Sequence, residues 1–163
     1  MNTERVDITT LHCDPANTRK HSERNLEAIK ASLAKFGQQK PIVVNGDNVI
    51  VAGNGTFAAA MAMGWLEIDI VRTSLIGPDA TAYAIADNRS AELATWDDKA
   101  LAETLAALQN DESFDHLAAG FTDEEIEGLV SKAMDIDGGG TLPGTNVALL
   151  TCPECGHEWP SER

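Results

Sequence analysis

The chain has 163 residues, 43% hydrophobic and 23% charged, with a formal net charge of −14. That length suits one domain with an appendage, and the composition excludes wholesale disorder. Uncharged runs such as 41–46 and 48–64 are too short or too interrupted by Gly and Asn to span a bilayer, and the start Met1-Asn2-Thr3-Glu4-Arg5 is not a basic-then-apolar leader, so neither membrane span nor secretory signal is expected. Three cysteines make no disulfide framework, which points to a reducing cytoplasm. Residues 1–89 carry ten acids against nine bases, whereas 91–137 carry thirteen against two. Anion binding is therefore expected in the first half. The second half would repel nucleic acid, and its acidity suits a solvated helical surface.

In chain order, Arg5 to Leu11 alternates and is β-branched, predicting a short strand. After a polar loop, Ser22 is a good N-cap for a helix with Leu26, Ile29, Leu33 and Phe36 on one face and Gly37 as its stop. Residues 41–45 and 48–52 flank Gly46-Asp47 and read as a hairpin. Gly53-Asn54-Gly55-Thr56 leads into an alanine-rich helix from Phe57 to Met63, closed by Gly64, with Met61 and Met63 as core filling. Residues 66–72 alternate around Ile68 and Ile70 and predict another strand. From Pro78 the pattern is helical: one helix capped by Asp79 and reaching Leu93, one capped by Asp97, and one opening at Thr122-Asp123-Glu124-Glu125 and running to about Met134. The fold class expected is α+β.

The glycine loop sits where a strand ends and a helix begins. Glycines admit positive φ and close approach of a ligand, and the free N–H groups of the helix start favour an anion. Thr56 could cap the helix or bond a phosphate; the same glycines would also serve a tight turn needed for packing alone. His12, His21 and His116 have no ligand spacing and read as exposed or satisfied side chains.

The succession Asn17-Thr18-Arg19, helix, Gly37-Gln38-Gln39-Lys40-Pro41-Ile42-Val43-Val44, Ile50-Val51-Ala52-Gly53-Asn54-Gly55-Thr56 and Asp87-Asn88-Arg89 resembles the ParB N-terminal domain of the ParB/sulfiredoxin superfamily over about residues 4–95. With Trp96-Asp97 following, it looks most like the stand-alone ParB-like (ParB-like nuclease) proteins of phages and mobile elements, several of which neighbour or are fused to DNA-modification enzymes. The resemblance implies a small mixed sheet with packed helices over 1–95, followed by an acidic helical extension at 96–136, in a bacterial or phage-infected cytoplasm. It also implies that Gly37, Gln38, Pro41 and Gly53 to Thr56 surround a nucleoside triphosphate, that Arg19 and Arg89 face the phosphates, and that Asp87 and Asn88 hold magnesium. Where many ParB proteins read Gly-Glu-Arg-Arg, this chain has Gly53-Asn54-Gly55-Thr56, so a carboxylate and two guanidiniums are missing. Asn54 and Thr56 also stand where sulfiredoxin needs a cysteine and an arginine, which argues against that chemistry. No basic recognition helix follows, so centromere binding is not supported.

Residues 137–146 are a Gly-rich linker by composition, and the tail 147–163 contains Cys152-Pro153-Glu154-Cys155-Gly156-His157. A C-x-x-C turn aims two thiolates at one metal, with His157 as a third zinc ligand; a redox pair or a vestigial tail are the alternatives. Three functions stay open: a module binding a nucleotide or DNA phosphate; a magnesium-dependent nucleotide hydrolase or nuclease with Asp87 as its catalytic carboxylate; and a protein with a degenerate pocket. In each, a protein partner or second copy could engage the acidic helices or the tail.

Overall fold

The structure is a computed structural model that describes residues 2–136, 149–151 and 158–160. It divides into two units, the first made of residues 1–96 with 115–123 and the second of the remainder.

The first unit is built on a five-stranded mixed sheet: β1 (Thr3–Asp7), β2 (His12–Cys13), β3 (Ile42–Val44), β4 (Val49–Ala52) and β5 (Glu67–Arg72) in the order β1-β5-β3-β4-β2. β1 runs antiparallel to β5 with Arg5 opposite Asp69, β3 runs parallel to β5 and antiparallel to β4, and β2 runs parallel to β4. α1 (Glu23–Phe36) and α2 (Asn54–Ala62) pack on the sheet. Leu33 of α1 and Ala59 and Ala60 of α2 close over Ile42, Val44, Ile50, Ile68 and Ile70. The β-branched residues line one sheet face, and the alanines let α2 approach closely. α3 (Gly77–Leu93) follows β5 and reaches β4.

Several local expectations are corrected. The first strand stops at Asp7, because its carboxylate accepts from Thr9 N at 2.8 Å and caps a 3-10 turn, Ile8–Thr10, which drops Ile8 into the core. The expected hairpin forms between β3 and β4, and its turn takes a positive φ at Asn48; Asn45 Oδ1 accepts from Asp47 N and Val49 N, both at 2.9 Å, and shapes the loop. α2 begins at Asn54, three residues early, because Gly53 in the left-handed region (φ 95°) serves as its N-cap; Thr56 lies inside the helix and caps nothing. α3 begins at Gly77 with no side-chain cap, leaving Asp79 in its first turn. Phe36 is 50% exposed and Met61 45%, so neither is core, whereas Met63 packs on the core as expected. Ser22 caps α1 as expected, its hydroxyl accepting from Asn25 N at 3.2 Å.

The second unit contains α4 (Asp98–Leu108), whose N-cap Asp97 accepts from Lys99 N and Ala100 N, and α5 (Asp123–Ile136), most of which falls in this unit. Lys132 Nζ reaches Asp98 Oδ2 at 2.6 Å. Among the described residues no helix is long and apolar enough to cross a membrane. β6 (Leu149–Thr151) and β7 (Glu158–Pro160) pair antiparallel with Leu150 opposite Trp159. The linker and the residues Cys152, Cys155 and His157 lie outside the described residues.

Candidate ligand-binding site

The turn from β4 into α2 is pressed by the chain's own side chains. A Cβ on Gly53 would stand 2.6 Å from Ile42 Cγ2, and one on Gly55 would stand 2.7 Å from His21 Cε1 and 2.9 Å from Ile29 Cδ1. Both glycines are thus required by packing, and Gly53 by its positive φ as well. Above the turn the space is open. A cavity of about 160 Å³ is lined by Arg19, His21, Gly53 to Thr56, Asp87 and Asn88. It shares Asn17, Arg19, Asn54 and Asn88 with a neighbouring lobe of about 210 Å³, which extends to Arg89 and Glu92. On its other side it shares Gly53, Thr56 and Asp87 with a lobe of about 150 Å³ bounded by Lys40, Pro41 and Tyr83.

Three segments build these walls. The loop before α1 is held by two Asx turns, Asp14 Oδ1 accepting from Ala16 N at 2.8 Å and Asn17 Oδ1 from Arg19 N at 3.0 Å, which set Arg19 at the rim. The start of α2 offers main-chain N–H groups that no intrahelical carbonyl can satisfy, the first such bond running from Phe57 N to Gly53 O at 3.0 Å. α3 turns only Ala80, Ala84, Asp87 and Asn88 inward, and every other residue of the helix is exposed. Their spacing of four, three and one places all four on one helical face.

The polar groups facing this space are under-used. The Asp87 carboxylate is half-buried and has no hydrogen-bond or ion-pair partner among the described residues. Asn88 Nδ2 donates to Ala84 O at 2.8 Å, which leaves its Oδ1 as an acceptor. Asn54 Oδ1 is buried and has no donor among the described residues. Oxygen donors of this kind suit a hard cation such as magnesium, so Asp87 and Asn88 fit the role that the resemblance implies. Among the described residues no three His, Cys, Asp or Glu side chains stand together as a metal-binding group.

Of the residues expected here, Arg19, Pro41, Gly53, Asn54, Gly55, Thr56, Asp87, Asn88 and Arg89 come together around the connected lobes. Gly37 and Gln38 do not line them. Gln38 instead bonds the main chain of Asp69 and lines an open groove of about 460 Å³ beside Trp65 and Leu66. Two residues that line the site escape motif reading. His21, expected to be a bystander, lies on Gly55 with Nδ1 2.6 Å from Asn25 Oδ1. Glu92 accepts from both Arg19 and Arg89. The signal for it was helical spacing, since Glu92 follows Asn88 by one turn.

No protein-family model and no curated protein matches the chain. Solved structures do. The chain is similar to the C-terminally truncated chromosome-partitioning protein ParB from Caulobacter crescentus complexed with CTP-γ-S, at 21% identity and a TM-score of 0.63, over 82% of this chain and 87% of that one. The same truncated protein complexed to the centromeric parS site matches at 21% identity and a TM-score of 0.46, over 78% of this chain and 64% of that one. A Pnob8-like ParB-N domain matches at 17% identity and a TM-score of 0.46, over 82% of this chain and 62% of that one. The fold of this chain is ParB-like.

Proposed function

We propose that this protein is a ParB-like module that binds a phosphate-bearing ligand, a nucleoside triphosphate with magnesium foremost, in the cavity above Gly53 to Thr56. The observation that carries this reading is the convergence on one open space of Arg19, the N–H groups opening α2, and the oxygens of Asp87 and Asn88, which have no partner among the described residues. Guanidinium and amides suit phosphate oxygens, and the carboxylate and amide oxygens suit the accompanying cation. The similar Caulobacter crescentus structure is complexed with a CTP analogue, which supports a triphosphate as the first ligand to test.

The test is a thermal-shift and calorimetric screen of the four ribonucleoside triphosphates with magnesium, CTP first, and of duplex DNA, against wild type and Arg19→Ala. Linkage predicts a rise in melting temperature with the cognate ligand, about 3 kcal/mol of stabilisation at a hundredfold excess over Kd, and its loss in the variant. No response to any triphosphate or DNA sinks the reading.

We propose in addition that Cys152, Cys155 and His157 hold zinc. The support is their spacing, C-x-x-C-x-H, in the six residues that join the paired strands β6 and β7.

A further inference from the structure

Two arginines reach the larger lobe, and both are bonded to one carboxylate. Arg19 comes from the loop before α1, Arg89 from α3, and Glu92 from the next turn of α3. Arg19 Nη1 donates to Glu92 Oε1, and Arg89 Nη1 donates to Oε2 at 3.2 Å. A phosphate group presents its oxygens to guanidinium donors in much the same way. The arrangement is a poor stabiliser, because its side chains are 39–61% exposed and such pairs contribute little in water. It does tie α3 to the loop. α3 buries no residue and turns only small or polar side chains inward, so apolar packing holds it weakly. The Glu92 carboxyl is held below the usual carboxylate range, first by the Arg19 hydrogen bond and next by that from Arg89, and is therefore anionic at neutral pH.

We propose that Glu92 is a built-in stand-in for the ligand's phosphate: it holds Arg19 and Arg89 until a multiply charged phosphate anion displaces it. The inference rests on the anion-binding reading of this cavity and narrows its ligand. Displacing a carboxylate from two guanidiniums favours a polyphosphate, which offers several charges at once, over a single phosphodiester or inorganic phosphate. Glu92 therefore sets a threshold of charge, and it frees the outer end of α3 when that threshold is met.

The experiment is calorimetric titration of the full chain with sodium triphosphate and with inorganic phosphate, both with magnesium, for wild type, Glu92→Gln and Arg19→Ala. The expected result is triphosphate binding by wild type, about 5–20-fold tighter in Glu92→Gln and lost in Arg19→Ala. Inorganic phosphate should gain proportionally more from Glu92→Gln, so that discrimination between the two anions narrows. Glu92→Ala is read in the same way should the glutamine variant fold poorly, with melting temperature as the check. Triphosphate binding that is unchanged or weaker in Glu92→Gln overturns the proposal and leaves the cavity reading standing, with Glu92 a mere positioner of Arg19. No binding by wild type or variant overturns both.

Discussion

Gln38 treats Asp69 as a neighbouring strand would: its Nε2 donates to Asp69 O and its Oε1 accepts from Asp69 N, each at 2.8 Å. β3 begins at Ile42, opposite Ile70, so the side-chain amide continues the ladder beyond the strand's end. These are part-buried bonds to main-chain groups that would otherwise go unmet. Gln38→Ala is expected to cost about 1–2 kcal/mol in urea unfolding and to leave triphosphate affinity within twofold of wild type. A large loss of affinity with unchanged stability would return Gln38 to the binding set.

Asp69 is held on its other side by Arg5, whose Nε and Nη2 meet Oδ1 and Oδ2 at 2.8 and 3.0 Å across the β1–β5 pair. The hydrogen bond from Arg5 lowers the Asp69 pKa, burial opposes it, and the arginine's charge adds a smaller lowering. A carboxyl depressed in the folded state stabilises fully above its unfolded value of about 4 and loses that stabilisation as pH falls through the folded value. The melting-temperature gap between wild type and Asp69→Asn should therefore be constant from pH 7 to about pH 5 and close as the pH falls below about 4. A gap that persists unchanged at about pH 2 would assign the effect to something other than ionisation.

The glycines divide sharply by position. Gly53→Ala meets both a left-handed backbone and Ile42 at 2.6 Å, and should destabilise by about 2–4 kcal/mol. Gly55→Ala pushes on His21 at 2.7 Å, and should loosen that ring as well as cost about 1–3 kcal/mol. Gly46 has an ordinary φ and nothing within 4 Å, so Gly46→Ala should be neutral or slightly stabilising. Denaturant unfolding of the three variants checks the order, and equal effects would contradict the close packing against the loop.

How much of this was legible in the sequence depends on whether the cause was local. Ser22 and Asp97 announce their helices because a cap acts within three residues, and the β-branched runs announce their strands by alternation. The convergence of Arg19, the glycine loop and Asp87-Asn88 followed from motif order, since the order is that of a known fold. What stayed hidden came from distant partners. Gln38 is bonded to a strand 31 residues away, and Arg19 meets a carboxylate 73 residues on. The early start of α2 was hidden for another reason: a left-handed glycine cap leaves no side-chain signature ahead of Asn54.

The tail offers a compositional test. Two thiolates and one imidazole leave a fourth zinc position to be closed by another ligand or a second molecule. The purified full chain should carry between about half and one equivalent of zinc, and Cys152→Ser should lower it. Less than about half an equivalent in the wild type refutes the zinc reading.

Asn54 offers the clearest separation of stability from function. Its Oδ1 is buried and accepts nothing among the described residues, a state that costs about 1–3 kcal/mol relative to a satisfied group. The residue opens α2, where alanine is a good helix former and no side-chain cap would be lost. Asn54→Ala should therefore melt no lower than wild type and gain up to about 1 kcal/mol. The same amide lines two lobes of the cavity beside Arg19 and Asn88, so magnesium-triphosphate affinity should fall about tenfold. A group kept unsatisfied at a stability cost is what a binding site is expected to contain. If Asn54→Ala instead destabilises the fold and leaves the ligand bound as tightly as before, Asn54 is a packing residue and the cavity makes no use of it.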